Sequence, residues 1–150
     1  MNWYLFWRYV HFAGILAFVA GHGVSVAITL RLPKERDPER LEVLLGLSRS
    51  TIVWSNLGLV VLVIGGAANW IRVSYSPQGW LWAAAGILVV LAVVGFALAA
   101  PAFRRVRSAL ASGEDEVIAT AVSSVHPWAI LWIETLGVVV ILWLMVYKPF

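Results

Sequence analysis

The sequence predicts an all-α integral membrane protein, a four-helix bundle running up-down-up-down with both termini outside. Three observations predict it. The 150-residue chain is 61% hydrophobic and 13% charged, with a mean hydropathy of +0.87. That is more apolar surface than a soluble domain of this size needs. Apolar runs cover about 5–30, 51–73, 79–103 and 127–147, each reaching the roughly 20 residues that a helix needs to cross the hydrocarbon. Lys and Arg are distributed unevenly between the connections, as membrane orientation requires. A single transmembrane domain, 1–150, is the natural count.

The first run opens with MNWYLFWR, which is aromatic rather than basic and has no clear A-x-A site after it. It reads as a retained span, not a signal peptide. The connection from Arg31 to Ser50 is charged and mixed in sign. Within it Asp37-Pro38 is a helix start: an N-capping carboxylate, then proline at the first helical position. A short helix from there, with Leu41, Leu44 and Leu45 on one side, is expected to lie along the interface and lead into the second span. Ser74 to Gln78, with Pro77, reads as a tight turn. The connection from Arg104 to Val125 opens with Arg104, Arg105 and Arg107 and is broken by Gly113. Glu114, Asp115 and Glu116 suit the first turn of a new helix, which Pro127 is expected to kink as it enters the fourth span.

Orientation follows from the basic residues. Arg31, Lys34, Arg36, Arg40, Arg49, Arg104, Arg105 and Arg107 lie in the first and third connections, against Arg8, Arg72 and Lys148 on the other side. Eight against three places those connections in the cytoplasm of a multi-pass protein of the cell inner membrane. Trp3, Trp7, Trp70, Trp80, Trp82 and Trp143 then fall near the outer boundary and Trp54 and Trp128 near the inner one, as an aromatic belt does. The net charge of +3 belongs to loops and gives no nucleic-acid signature. With no cysteine, disulfides, thiolate metal sites and thiol nucleophiles are excluded.

Ionisable groups inside spans are costly and become functional candidates. His11 and His22 stand eleven residues apart in the first span, so they share nearly one helix face, about 16 Å apart along the axis. Gly14, Ala17, Gly21 and Gly23 lie among them and let a neighbouring helix, or a flat cofactor, come close. Span-by-span depths at about 1.5 Å per residue give two polar layers. The inner layer holds His22, Asn56, Glu134 and Ser25; the outer holds His11, Asn69 and Met145. Gly65-Gly66 reads as a close-packing point.

Each layer has a chemical and a structural reading. In the outer layer, His11 opposite Met145 is an axial pair for a b-type haem or part of a Cu(I) site; methionine as packing and histidine bonded to a carbonyl are the plain alternatives. In the inner layer, a carboxylate must be neutral or paired. His22 is the depth-matched partner of Glu134, either as a ligand oriented by the carboxylate, as part of a proton relay, or as a hydrogen bond locking two helices. His126, beside Pro127 at the inner boundary, is a further ligand or proton-entry candidate. No P-loop, GxSxG, HExxH or Gly-rich nucleotide fingerprint is present.

His11, Ala13-Gly14 and Arg31-Leu32, with the stretch RLPKERDPERLEVLLGLSR, resemble the opening of a group of small four-helix bacterial membrane proteins. The group includes the copper-resistance D family, the membrane-bound protoporphyrinogen oxidases that bind haem b, and uncharacterised predicted membrane proteins. The resemblance covers the first span and its loop, and the remainder only by topology. It implies a haem- or copper-associated role for His11 and carries over no oxidase activity.

The leading expectation is therefore a small haem b-binding protein for electron transfer or a membrane redox reaction, ligated through His11 or His22. The alternatives are a copper-handling permease-like protein, and a non-catalytic membrane subunit or anchor whose polar groups fix helix packing. Candidate partners are the lipid bilayer, a redox partner or quinone, and a second copy or larger membrane complex. Whether the chain is an enzyme is left open.

Overall fold

The computed structural model describes residues 2–73 and 79–149. It consists of α1 (Trp3–Arg31), a 3-10 turn (Leu32–Lys34), α2 (Pro38–Val73), α3 (Gly79–Ser112), α4 (Asp115–Ser123) and α5 (Pro127–Tyr147). No strand occurs among the described residues. Four candidate spans are long and apolar enough to cross a membrane: α1, α2, α3, and α4 with α5. At most 17% of the apolar window of any of them is buried by protein. Leu16, Phe96 and Val146 are each more than 70% exposed. Side chains of this kind need lipid as solvent, so the chain is an all-α, multi-pass membrane protein.

Two compact units make up the chain, one of Met1–Ile28 with Val43–Pro77 and one of Thr29–Glu42 with Gln78–Phe150. In the first, α1 and α2 run antiparallel in one constant register. Ser25 meets Thr51, Gly21 meets Ser55, Ala17 and Phe18 meet Gly58, Gly14 meets Leu62, and His11 meets Gly65. The contacts recur alternately three and four residues apart on both helices, the 3.5-residue seam of a left-handed pair. Small residues on that seam bring the backbones together. A Cβ on Gly65 would fall 2.6 Å from the His11 nitrogen, and one on Gly14 would fall 2.6 Å from the Leu62 Cα. Close approach of this sort supplies the dispersion contacts that hold helices together where no hydrophobic effect operates.

In the second unit, α3 packs on α4 and α5, and the 3-10 turn packs on α4. Ala102, Val106 and Ala109 of α3 are buried, as are Ile118 and Val122 of α4. Both sets follow the three-to-four spacing of one helix face. Gly113 ends α3 at φ +71°, a left-handed conformation that glycine adopts without Cβ strain, and its N–H reaches the Leu110 carbonyl at 3.3 Å. On α5, Gly137 lies under Leu91 of α3, where a Cβ would be 2.5 Å from the leucine methyls. Lys148 closes α5 in a left-handed cap and sets its ammonium over the Trp80 ring at 5.5 Å, a cation–π contact.

Two local expectations change. Pro38 does begin a helix capped by Asp37, whose carboxylate accepts the Glu39 N–H at 3.0 Å. That helix does not stop before the second span, however. It continues unbroken for 36 residues to Val73, because nothing between Pro38 and Ser50 interrupts the buried spacing Leu41, Leu45, Ser48, Thr51. Pro127 does not kink a continuous helix. It occupies the first turn of α5, after Ser124–His126 has left helical geometry, where a missing N–H costs nothing. Pro101, inside α3, is carried within the helix and removes the hydrogen bond to the Ala97 carbonyl. The expected turn at Ser74–Gln78 lies outside the described residues.

Candidate functional site

His11 is positioned by the glycines opposite it. Gly65 lets the α1 backbone come close to α2, and the imidazole then lies against Gly66, where a Cβ would be 3.1 Å from Nδ1. In that position Nδ1 is 2.8 Å from the Leu62 main-chain carbonyl. A carbonyl only accepts, so the proton is on Nδ1. Of the two neutral tautomers, this bond selects the one whose Nε2 carries the lone pair. Ligating histidines are held in this way, with one N–H tied to a carbonyl or carboxylate and the other nitrogen free to bind.

The other outer-layer residues are placed as follows. Asn69 lies one turn beyond Gly65 and donates its amide to the Gly65 carbonyl at 3.0 Å, while its Oδ1 is buried with no hydrogen-bond partner. Met145 is half-buried on α5, in the other unit.

His22 stacks on Phe18 with ring centroids 5.5 Å apart and planes at 13°. Asn56 is exposed, off the seam, and does not join a buried polar layer. Its place is taken by residues that the sequence reading passed over. Ser48, Thr51 and Ser55 are buried on the seam face of α2. Thr51 donates its hydroxyl to the Ser48 carbonyl at 3.0 Å, so the 3.0 Å contact between Ser25 Oγ and Thr51 Oγ1 has Ser25 as donor. The signal that would have found them is the spacing 48, 51, 55, which continues through Gly58, Leu62 and Gly65.

Glu134 belongs to the second unit. Its carboxyl rests over Gly95 of α3, with Oε1 2.6 Å from where a Cβ on that glycine would stand. Glycine there makes room for a carboxyl between two apolar helices. His126 is exposed at the start of α5 and donates Nδ1–H to the Ser124 carbonyl at 2.9 Å.

Two conclusions about ligation follow. His11 and His22 lie on one straight helix about 16 Å apart, too far to grip one iron from its two faces. Among the described residues, no three His, Cys, Asp or Glu side chains gather as a metal-holding group. His11 is the histidine whose local geometry resembles that of a held ligand, with Nδ1 tied to a main-chain carbonyl of the neighbouring helix. No protein-family model matches the chain, and no curated protein or solved structure matches it either.

Proposed function

We propose that the chain is a small redox protein of the cell inner membrane that binds one b-type haem through His11 Nε2, with both termini outside. The observation that carries this is the Nδ1–H bond from His11 to the Leu62 carbonyl. It fixes ring orientation and tautomer at no cost to Nε2 and raises the basicity of the ligating nitrogen. A bound haem supplies one-electron chemistry; the chain's part is to hold its ligand in place and keep it in an apolar setting, two levers that set a haem potential. The likeness of His11 and its surroundings to small haem-binding membrane proteins supports the same reading. The orientation rests on the eight-to-three distribution of basic residues.

A visible spectrum of protein purified in mild detergent tests the proposal. A Soret band that moves on dithionite reduction is expected. A colourless protein with stoichiometric copper would replace haem by copper handling. A colourless, metal-free protein would leave the reading of a membrane anchor, which the seam itself favours: His11, Ser25 and Thr51 all spend hydrogen bonds between α1 and α2. A reporter fused at Ser112 is expected to be active on the cytoplasmic side; activity in the periplasm alone would reverse the topology.

A further inference from the structure

Between α3 and α4 lies an open groove of about 850 Å³, lined among others by Arg104, Arg105, Ser108, Glu114, Glu116 and Thr120. Its charges are ordered. Arg104 and Arg105 follow directly on the apolar run of α3, at the end of the groove nearest the hydrocarbon. Glu114 and Glu116 sit beyond Gly113, where the chain reverses, about 12 Å further along the α3 axis. Ser108 and Thr120 are hydroxyls on the two walls. The arginines are exposed. Among the described residues neither pairs with a carboxylate, whereas Arg40 pairs with Asp37 at 3.4 Å.

A groove with two cations and two anions does not select a simple anion. It is complementary to a zwitterion of matching polarity. At a bilayer surface the phosphate of a phospholipid lies next to the acyl chains, and its amine lies further out. That is the order of the arginines and carboxylates here. Guanidinium groups bind phosphate oxygens through paired N–H donors. Carboxylates bind a primary ammonium, which donates three hydrogen bonds, better than a methylated one, which donates none.

We propose that the groove between α3 and α4 holds the headgroup of a zwitterionic phospholipid bearing a primary ammonium, its phosphate on Arg104 and Arg105 and its ammonium on Glu114 and Glu116. The site is independent of the haem reading.

Native mass spectrometry of the protein released from nanodiscs containing equal phosphatidylethanolamine, phosphatidylcholine and phosphatidylglycerol tests this. Wild-type protein is expected to retain phosphatidylethanolamine over both others. Arg104→Gln with Arg105→Gln should lower its retention about fivefold for each arginine removed, the effect of one basic residue at a membrane surface. Glu114→Gln with Glu116→Gln should keep phospholipid but move the preference towards phosphatidylglycerol. Excess inorganic phosphate should leave retention unchanged. Equal retention of the three lipids by wild-type protein overturns the proposal, as does displacement by phosphate. So does unchanged selectivity in the glutamine variants, whose folding a thermal melt in detergent monitors separately.

Discussion

The imidazole of His11 donates to the main-chain carbonyl of Leu62 across a helix pair, at 2.8 Å. The acceptor belongs to the backbone, so no substitution at Leu62 removes it. Only the approach of the two helices, set by Gly14 and Gly65, does. Ring orientation and helix packing are thus one property.

The two nitrogens of His11 can be separated by substitution. Asparagine places a donor near the position of Nδ1 and has nothing at Nε2. His11→Asn should keep the bond to Leu62, lose at most about 1 kcal/mol of stability, and bind no haem. His11→Ala should lose the cofactor and the bond together, whereas His126→Ala should retain haem, because His126 is exposed and bonded to its own loop. Pyridine haemochrome content beside a melting curve reads both. Equal haem content in the His11 and His126 variants would remove His11 as ligand.

Glycines of α1 should differ sharply. A Cβ at Gly14 falls on the Leu62 backbone, while one at Gly23 meets nothing within 4 Å. Gly14→Ala should destabilise by about 1–3 kcal/mol as the helices part. Gly23→Ala should be neutral, or stabilise by up to about 1 kcal/mol through helix propensity. Thermal melts of the two variants in one detergent make the comparison, and matching melting temperatures would contradict the seam.

Ser25 and Thr51 should be coupled. Ser25→Ala and Thr51→Val each remove the 3.0 Å contact between the two hydroxyls. A double-mutant cycle should give a coupling near 0.6 kcal/mol, the average for hydrogen bonds between membrane helices. A coupling of zero would mean that the hydroxyls do not meet.

The loop after the 3-10 turn should respond to acid. The Glu35 carboxylate accepts the N–H groups of Arg36 at 3.1 Å and Asp37 at 3.3 Å. The first bond, then the second, then Arg40 and Arg31 hold its pKa below the ordinary glutamate value. A carboxylate lowered on folding stabilises above its unfolded pKa, about 4.3, and loses that contribution as pH falls through the folded value. Protection of the Arg36 and Asp37 amides, relative to their intrinsic exchange rates, should therefore fall below about pH 4, and Glu35→Gln should flatten the dependence. Acid-insensitive exchange in the wild type would show that these bonds carry no proton linkage.

Much of the fold was legible because lipid imposes a simple rule: a long apolar run must be helical. The fourth run, 127–147, coincides with α5, and Gly113 and Asp37 punctuate the chain where their chemistry requires. Helix continuity was less legible. The charged residues from Glu39 to Arg49 suggested a separate interfacial piece, but they occupy the outer faces of a helix whose inner face keeps its spacing. The site was legible by depth and not by azimuth. Asn56 has a suitable depth and points away from the seam, whereas Thr51 and Ser55, less polar by type, face it. His11 was found because an ionisable group in a span is rare; the atom that orients it was hidden, since a backbone carbonyl has no letter in a sequence.

The unbroken length of α2 has a mechanical consequence. At 36 residues the helix is about 54 Å long, against about 30 Å of hydrocarbon. It has no internal proline, the commonest cause of a kink. About 24 Å of its length therefore exceeds what the hydrocarbon needs. Within the unit that holds both, no proline interrupts the helix between Val43 and Leu62, so a displacement at Val43 is carried along the helix to the carbonyl that holds His11.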